Sequence, residues 1–277
     1  MPRQFDHLVL CVRELEVARE RYEALGFRVM PPADHPFGTR NRVILLEGVY
    51  LELLTVARPD AVARAPPGEF SFGAHNQAFL RDHEGMSMLA FKGSDARADV
   101  RYFAAHDIRT YEPLDFSREA RLPDGRQVRV AFSLVFATDA ALPGLAFFTC
   151  QHHQSRDLLG SASLDHPNGA RGIVEVRLAV PDPAAHRRFL EVVCEDRATF
   201  GTRELSVGGA GGRLSARESG SAMARFEGFQ VQVASLAVLE RGLRSRSIPH
   251  QRAADAIMIA PEEAFGVAIE FSEGAAR

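Results

Sequence analysis

Short strands with alternating apolar positions run into amphipathic helices at three places along the chain. The strand-like segments are residues 5–12, 173–180 and 229–233, and each precedes a helical pattern of about four turns. Two of these units close on a further strand that carries a glutamate at an inward position, Glu52 and Glu270. A pattern that recurs in this way indicates duplicated supersecondary units rather than one long irregular fold.

The segments between these units complete the same order of elements. The first unit reads as a strand at 5–12, a helix at 14–25 that Gly26 ends, and strands at 27–31, 42–46 and 50–56. A second βαβββ unit follows the long connection at residues 58–84, and two more follow a polar linker at 152–170. We therefore expect an α+β fold of four βαβββ units in two paired modules, at residues 1–152 and 170–277, the second module being partly trimmed.

Composition narrows the class of protein without deciding its function. The 277 residues are 46% hydrophobic and 25% charged, with a formal net charge of −3, which is ordinary for a globular protein. No basic stripe indicates nucleic acid, and no apolar run is long enough for a membrane span or a signal peptide. The three cysteines lack the close spacing of a disulfide framework, so we expect buried thiols in a cytoplasmic protein.

The repeat brings together residues that can do chemistry. His7 on the first strand and Glu52 on the closing strand can lie side by side, as in a metal or acid/base site. The alternative is a buried ion pair or hydrogen-bonded pair, since a glutamate that points inward must be paired. His35 lies on a loop rich in proline and glycine, where it could act as general acid/base or simply hold the turn. Arg40 and Asn41 could bind a substrate carboxylate or carbonyl, or be solvated.

These residues carry a resemblance to a known superfamily. Residues 5–9 (FDHLV) and 50–54 (YLELL) are similar to the first and last strands of a vicinal oxygen chelate unit, and Glu175 and Glu270 occupy the matching places later in the chain. That superfamily includes glyoxalase I, extradiol dioxygenases, fosfomycin-resistance transferases and bleomycin-binding proteins. The loop at 35–41 and the strand at 147–153 resemble, more narrowly, the glyoxalase-like domain branch.

The resemblance implies curved mixed sheets that enclose a cup, with metal ligands from the first and last strands of paired units. His7 and Glu52 match two ligand positions, whereas Ser87 or Met88 stands where a second histidine or glutamine is expected. On the last strand, Gln151 and His153 share one face and His152 lies on the other. We expect His153 as the third ligand and Gln151 as an auxiliary ligand or substrate contact, around a Zn, Fe, Mn or Ni ion.

The implied function is an enzyme that acts on a small oxygen-bearing organic molecule through this ion, by lyase or isomerase chemistry of the enediolate type. An extradiol-type dioxygenase is the alternative reaction. A metal-free protein that binds an antibiotic or metabolite, or a scaffold or dimerisation module, is the alternative class. We expect a monomer or homodimer, with neither nucleic acid nor membrane as partner. Glu175 and Glu270 are expected to be chiefly structural or to form a degenerate second cup, and His166 to lie at the surface of the linker.

Overall fold

The repeated order of elements is present throughout the computed structural model, which describes residues 2–121, 125–154, 164–209 and 211–274. The elements up to residue 152 are β1 (Phe5–Cys11), α1 (Leu15–Ala24), β2 (Ala33–Asp34), β3 (Thr39–Leu46), β4 (Val49–Val56), α2 (Phe72–Asp82), β5 (Gly85–Gly93), α3 (Ala96–Ala105), β6 (Arg109–Thr110), β7 (Leu114–Arg121), β8 (Gln127–Thr138) and β9 (Ala146–His152). Those after it are β10 (Ala170–Val180), α4 (Arg187–Cys194), β11 (Thr199–Phe200), β12 (Glu204–Gly209), β13 (Gly212–Glu218), β14 (Arg225–Val233), α5 (Leu236–Ser245), β15 (Gln251–Arg252), β16 (Ala256–Ile259) and β17 (Ala268–Glu273).

Each half of the chain forms one mixed sheet, and both sheets follow the same scheme. The nine-stranded sheet has the order β2-β3-β4-β1-β5-β9-β8-β6, with β7 paired to β8. The eight-stranded sheet has the order β11-β12-β13-β10-β14-β17-β16-β15. In both, the first strands of the two units lie antiparallel at the centre, and each pairs in parallel with the last strand of its own unit. The α+β architecture of curved mixed sheets expected from the sequence is therefore confirmed.

The two sheets share one hydrophobic core. Phe147 of β9 packs against Phe189 and Phe226 of the second half, with ring centroids 5.2 and 5.4 Å apart. The backbone N–H of Arg3 also donates to the carbonyl of Cys194 across the same boundary, at 2.8 Å. Burial of these apolar surfaces stabilises the two halves together. The module boundaries at 1–152 and 170–277 stay a prediction.

The connection between the first two units holds an element that the sequence pattern did not indicate. Helix α2 begins after Ser71, whose hydroxyl accepts from the backbone N–H of Ala74 at 3.2 Å and so caps the helix. The helix buries Phe72 and Phe79 against the sheet. The cap is the sequence signal that could have located this helix, because the apolar spacing over residues 58–84 is weak.

Two further expectations about local structure are wrong. Residues 27–31 form no strand, and the short β2 begins only after Pro31 and Pro32, which have no backbone N–H for a strand pair. His166 is buried instead of lying at the surface. Its ring accepts from the N–H of Arg28 at 2.9 Å and donates to the carbonyl of Leu45 at 2.7 Å, and so attaches the end of the linker to the first sheet.

Candidate functional site

The nine-stranded sheet and its loops line a narrow pocket with a volume of about 30 Å³. Four of its twelve lining residues are phenylalanines, and polar side chains lie among them. This volume is room for about two water molecules, so a bound organic molecule would extend out through the mouth of the pocket. An apolar wall with few polar groups is typical of ligand sites. The residues that line the pocket are His7, His35, Phe37, Asn41, Tyr50, Glu52, Phe72, Phe116, Arg118, Phe132, Leu134 and Cys150.

His7 is held at the base of the pocket by the residue before it. A bulge between Phe5 and His7 shifts the register of β1 against β5, so the consecutive side chains of Asp6 and His7 meet instead of pointing to opposite faces. Asp6 Oδ2 and His7 Nδ1 lie 2.6 Å apart, and Tyr50 stacks on the imidazole with centroids 4.4 Å apart. Because Nδ1–H donates to the carboxylate, Nε2 carries the lone pair that faces the pocket.

Asp6 accepts a second hydrogen bond from another histidine. His152 Nε2 lies 3.1 Å from the same Oδ2 atom, and Phe132 packs edge-on against the His152 ring. Asp6 is fully buried, whereas the His152 side chain is 19% exposed. The carboxylate thus fixes the orientation of two imidazoles, of which only His7 lines the pocket.

Glu52 lies between the two histidines of the pocket. Its Oε1 accepts from Asn41 Nδ2 at 2.5 Å, and the neighbouring strands β3 and β4 bring these two residues together. Glu52 Oε2 lies 3.7 Å from His7 Nε2, and Oε1 lies 3.8 Å from His35 Nε2. All of these groups are buried. The sequence-based expectation that His7 and Glu52 lie side by side is met by this geometry.

His35 is placed by the turn between β2 and β3. Its Nδ1 and the Thr39 hydroxyl lie 2.8 Å apart, and Phe37 stacks on the ring with centroids 5.1 Å apart. The other ring nitrogen, Nε2, faces Glu52, and the Asn41 amide nitrogen lies 3.5 Å from it. The loop therefore aims a second imidazole nitrogen at the carboxylate.

Burial sets the charge of the histidines in this region. Loss of solvation lowers the pKa of His7 to about 4, against the opposing effect of Glu52. Burial, followed by the positive charge of Arg118, lowers the pKa of His35 to about 3. Burial likewise lowers the pKa of His152 to about 4. All three imidazoles are neutral near pH 7, which is the form that ligates a metal ion.

Two overlapping sets of side chains in this pocket have the donor chemistry of a metal site. Potential ligand atoms of Asp6, His7 and Cys150 all lie within 4.8 Å of one another. The 2.6 Å contact makes Asp6 a hydrogen-bond partner of His7, which is how carboxylates orient metal-binding histidines from behind. Burial raises the pKa of the Cys150 thiol. The second set is His7, Glu52 and His35, all of which line the pocket. Each histidine lies within 4 Å of a Glu52 oxygen, although the three ligand atoms do not all lie within 4.8 Å of one another.

A model of the glyoxalase-like domain family matches residues 5–194. The chain belongs to the glyoxalase-like domain family. No curated protein matches the sequence. The resemblance to the vicinal oxygen chelate superfamily is thereby confirmed, and with it a fold that serves enzymes and small-molecule binding proteins.

Solved structures share this glyoxalase-like fold at low sequence identity. A hypothetical protein from Staphylococcus aureus is 12% identical with a TM-score of 0.75, and the match covers 98% of this chain and 100% of that one. A mutant 4-hydroxymandelate synthase from Streptomyces coelicolor is 11% identical with a TM-score of 0.58, covering 99% and 93%. A halotolerant catechol dioxygenase is 12% identical with a TM-score of 0.58, covering 99% and 87%. At such identity the likeness shows the fold alone.

Three residues predicted for the site of this glyoxalase-like chain lie outside the pocket. Gln151 accepts from the backbone N–H of Ala96 at 2.9 Å, at the start of α3. His153 Nε2 contacts the Ser133 hydroxyl at 2.8 Å. Strand β9 turns Phe148, Cys150 and His152 towards the pocket side, and the alternate residues therefore face away from it. Arg40 is exposed and pairs with Asp34, with its Nε 2.7 Å from the carboxylate.

Asp6 and Arg118 are the important residues of the pocket region that sequence reasoning missed. The bulge that turns Asp6 towards His7 leaves no mark in the apolar pattern. Arg118 had a readable signal, because Leu114, Phe116 and Arg118 alternate on one face of a strand, β7. That strand was missed because its remaining residues are polar.

The second sheet has a cup of its own, in which an arginine lies between two carboxylates. Arg177 Nη1 lies 2.7 Å from Glu270 and 3.6 Å from Glu175, so its guanidinium is the cation between the two carboxylates. Gly228 lies at a position where the superfamily pattern allows a ligand. A Cβ atom there would collide with the carbonyl oxygen of Ala268, so the position has no room for a side chain. These contacts support the expectation of a degenerate second cup.

The partners expected for this glyoxalase-like chain are supported only in general terms. The family binds small molecules, which agrees with the enclosed pocket. Among the described residues, no helix is both long and apolar enough to cross a membrane. All three cysteines are buried and free, as expected.

Proposed function

We propose that the pocket binds one divalent metal ion through His7, Glu52 and His35, and that the protein is an enzyme acting there on a small oxygen-bearing organic molecule. The observation that carries this proposal is the orientation of His7. Its Nδ1 is committed to Asp6 at 2.6 Å, so an acceptor nitrogen faces an acceptor oxygen of Glu52 at 3.7 Å in a buried site. Two buried acceptors that face each other lack a donor or a cation between them.

His35 strengthens this argument because it repeats the arrangement from the other side. Its Nδ1 is bonded to Thr39, and its Nε2 lies 3.8 Å from Glu52. Two donors on one metal ion, each about 2.0–2.2 Å from it, lie roughly 3–3.5 Å apart. Each histidine nitrogen lies a few tenths of an ångström farther than that from an oxygen of Glu52. The three ligand atoms do not all lie within 4.8 Å of one another, so one shared ion requires these side chains to rotate towards it. His35 takes the place for which the sequence suggested His153.

The chain's own residues would prepare this site for substrate. Asp6 fixes the tautomer of His7, Thr39 holds the ring of His35 in place, and Asn41 holds one oxygen of Glu52. The phenylalanine walls exclude water, which strengthens every electrostatic interaction inside. A bound divalent ion would act as a Lewis acid on substrate oxygens, or activate O₂ if it is Fe(II).

The donor set favours dioxygenation over the lyase or isomerase reaction expected from the sequence. Two histidines and one carboxylate with open positions form the ligand set of non-haem Fe(II) oxygenases. The catechol dioxygenase with the same fold agrees with this choice, although at 12% identity it does not decide it. Lyase or isomerase chemistry with Zn, Mn or Ni is the alternative. The identity of the bound metal distinguishes this alternative from dioxygenation.

A metal-free binding protein is the second candidate, and one contact favours it. The Asn41 amide already donates to Glu52 at 2.5 Å and lies 3.5 Å from His35 Nε2, so part of the acceptor cluster is satisfied within the protein. In that case the same pocket would bind a metabolite or antibiotic without chemistry. A cytoplasmic location and a monomeric or homodimeric state stay predictions.

Metal titration of wild type and Glu52→Gln tests the proposal. Apo protein is titrated with Fe(II) under anaerobic conditions, and with Zn(II), Mn(II) and Ni(II), and the bound metal is measured by elemental analysis. We expect about one ion per wild-type chain and loss of binding in Glu52→Gln. Glu112→Gln, at an exposed position, is the matched control and should bind as wild type does. A wild-type protein that takes up none of the four ions would exclude the metal enzyme and leave the binding protein.

A further inference from the structure

Arg118 brings a positive charge to the wall of the pocket. It lies on β7 two residues after Phe116, so both side chains face the same side, and both line the pocket with His7 and Glu52. The Arg118 guanidinium carbon lies 5.9 Å from the centre of the Phe132 ring. The cation therefore lies against the aromatic wall of the pocket.

This guanidinium has few partners among the residues that the structure describes. Its Nε is buried and has no hydrogen-bond partner among the described residues. Its Nη1 makes one long contact, 3.5 Å, with the backbone carbonyl of Glu119. No ion pair joins Arg118 to a carboxylate in the part of the chain that the structure describes. A half-buried guanidinium with unmet donors is costly, because it has lost water without gaining an acceptor.

Arg177, on the central strand β10 of the second sheet, shows what a paired arginine looks like. It is buried and lies 2.7 Å from Glu270 and 3.6 Å from Glu175. Among the described residues, Arg118 has no such carboxylate. Its buried Nε–H is therefore a donor that an acceptor on a bound molecule would satisfy.

We propose that the substrate is a small carboxylic acid, whose carboxylate binds Arg118 while its apolar or aromatic body lies against the wall that the packed rings of Phe37, Phe116 and Phe132 form. This inference rests on the proposed function, in that it takes the pocket as the substrate site. The planar fork of guanidinium donors matches the two oxygens of a carboxylate and binds them with two parallel hydrogen bonds. The second end of the molecule would then reach His7, Glu52 and His35.

A carboxylate with an apolar body suits this wall better than a phosphate ester does. Arg118 is the only lysine or arginine side chain that lines the described pocket, and one guanidinium fork matches one carboxylate. The phenylalanines around it are better suited to a ring or short chain than to a hydrated phosphate.

Benzoate and its neutral analogue benzamide test this inference directly. Both are titrated into wild type, Arg118→Met and Arg118→Lys, followed by calorimetry and by NMR shifts of the protein, with metal-free and metal-loaded samples. We expect wild type to prefer benzoate, Arg118→Met to lose about tenfold or more in benzoate affinity, and Arg118→Lys to recover part of it. Benzamide affinity should be equal in all three proteins. Arg129→Met, on the exposed side of the same hairpin, is the matched control.

The outcomes separate this inference from the metal proposal. Loss of benzoate binding in Arg118→Met with unchanged metal content supports both the carboxylate site and the metal site. The same loss in a protein that binds no metal supports the carboxylate site alone. Equal affinity for benzoate and benzamide in wild type, an unchanged benzoate affinity in Arg118→Met, or no benzoate binding at millimolar concentration would overturn the inference. Tighter binding of phenyl phosphate than of benzoate would also overturn it.

Discussion

Asp6 and His7 are consecutive residues of one strand, yet Asp6 Oδ2 and His7 Nδ1 lie 2.6 Å apart. In a regular strand these side chains would point to opposite faces, and the bulge in β1 removes that constraint. The contact fixes the tautomer of His7 and leaves its Nε2 facing Glu52. A local irregularity of the backbone thus decides which nitrogen of His7 faces the pocket.

Removal of the Asp6 charge should weaken metal binding without destroying the site. Asp6→Asn keeps the shape of the side chain but lowers the basicity of His7 and the preference for its Nδ1–H tautomer. We expect about 10–100-fold weaker metal affinity, measured by competition with a chelating dye. Asp34→Asn, at the surface beside Arg40, is the control and should leave the affinity unchanged. An unaltered affinity in Asp6→Asn would show that this contact does not orient a ligand.

The buried arginine of the second cup should matter for stability. Arg177→Met leaves the carboxylates of Glu175 and Glu270 without their shared cation, so we expect a loss of about 3–5 kcal/mol in the free energy of unfolding. Arg213→Met removes a 49% exposed partner of Glu175 and should cost at most about 1 kcal/mol. Urea unfolding measures both. Similar losses in the two variants would refute the role of Arg177 as the central cation.

Packing between the sheets should couple the two halves of the chain. Phe147→Ala removes a buried ring that contacts Phe189 and Phe226, and we expect it to cost about 3–5 kcal/mol. Wild type should unfold in one transition by both circular dichroism and fluorescence of an added label. Phe200→Ala, whose ring is 55% exposed, should change stability little. Two separate transitions in wild type would mean that the halves fold as independent domains.

A histidine away from the pocket should make stability fall in mild acid. Burial lowers the pKa of His75 to about 4, from about 6.5 in the unfolded chain. Between these values the unfolded state binds more protons, so this contribution is complete above pH 6.5 and is lost as the pH falls towards 4. His75→Gln should remove about 1–3 kcal/mol of that pH dependence in urea unfolding at pH 7 and pH 4.5. Exposed His106→Gln is the control, and an equal effect of both changes would contradict the assignment.

The repeated units and the proximity of His7 to Glu52 were predictable, because the spacing of apolar residues indicates the strands and helices that carry them. The face of β9 that points to the pocket was not predictable. An error of one residue in assigning that face replaces Cys150 and His152 with Gln151 and His153. His35 was recognised as a loop histidine with a possible role. Its distance from Glu52, 3.8 Å, depends on the turn geometry and on the pairing of β2 with β3. Arg118 was not recognised as a pocket residue. The sequence of β7 shows one alternating face, but it does not show which residues pack around that face.

The central claim is that His35, rather than His153, completes the metal site with His7 and Glu52. We would measure metal content and affinity in wild type, His35→Ala and His153→Ala, reconstituted with the same ion. We expect about one ion in wild type and in His153→Ala, and an affinity at least tenfold weaker in His35→Ala. Full binding in His35→Ala together with an empty His153→Ala would contradict the arrangement that the pocket shows.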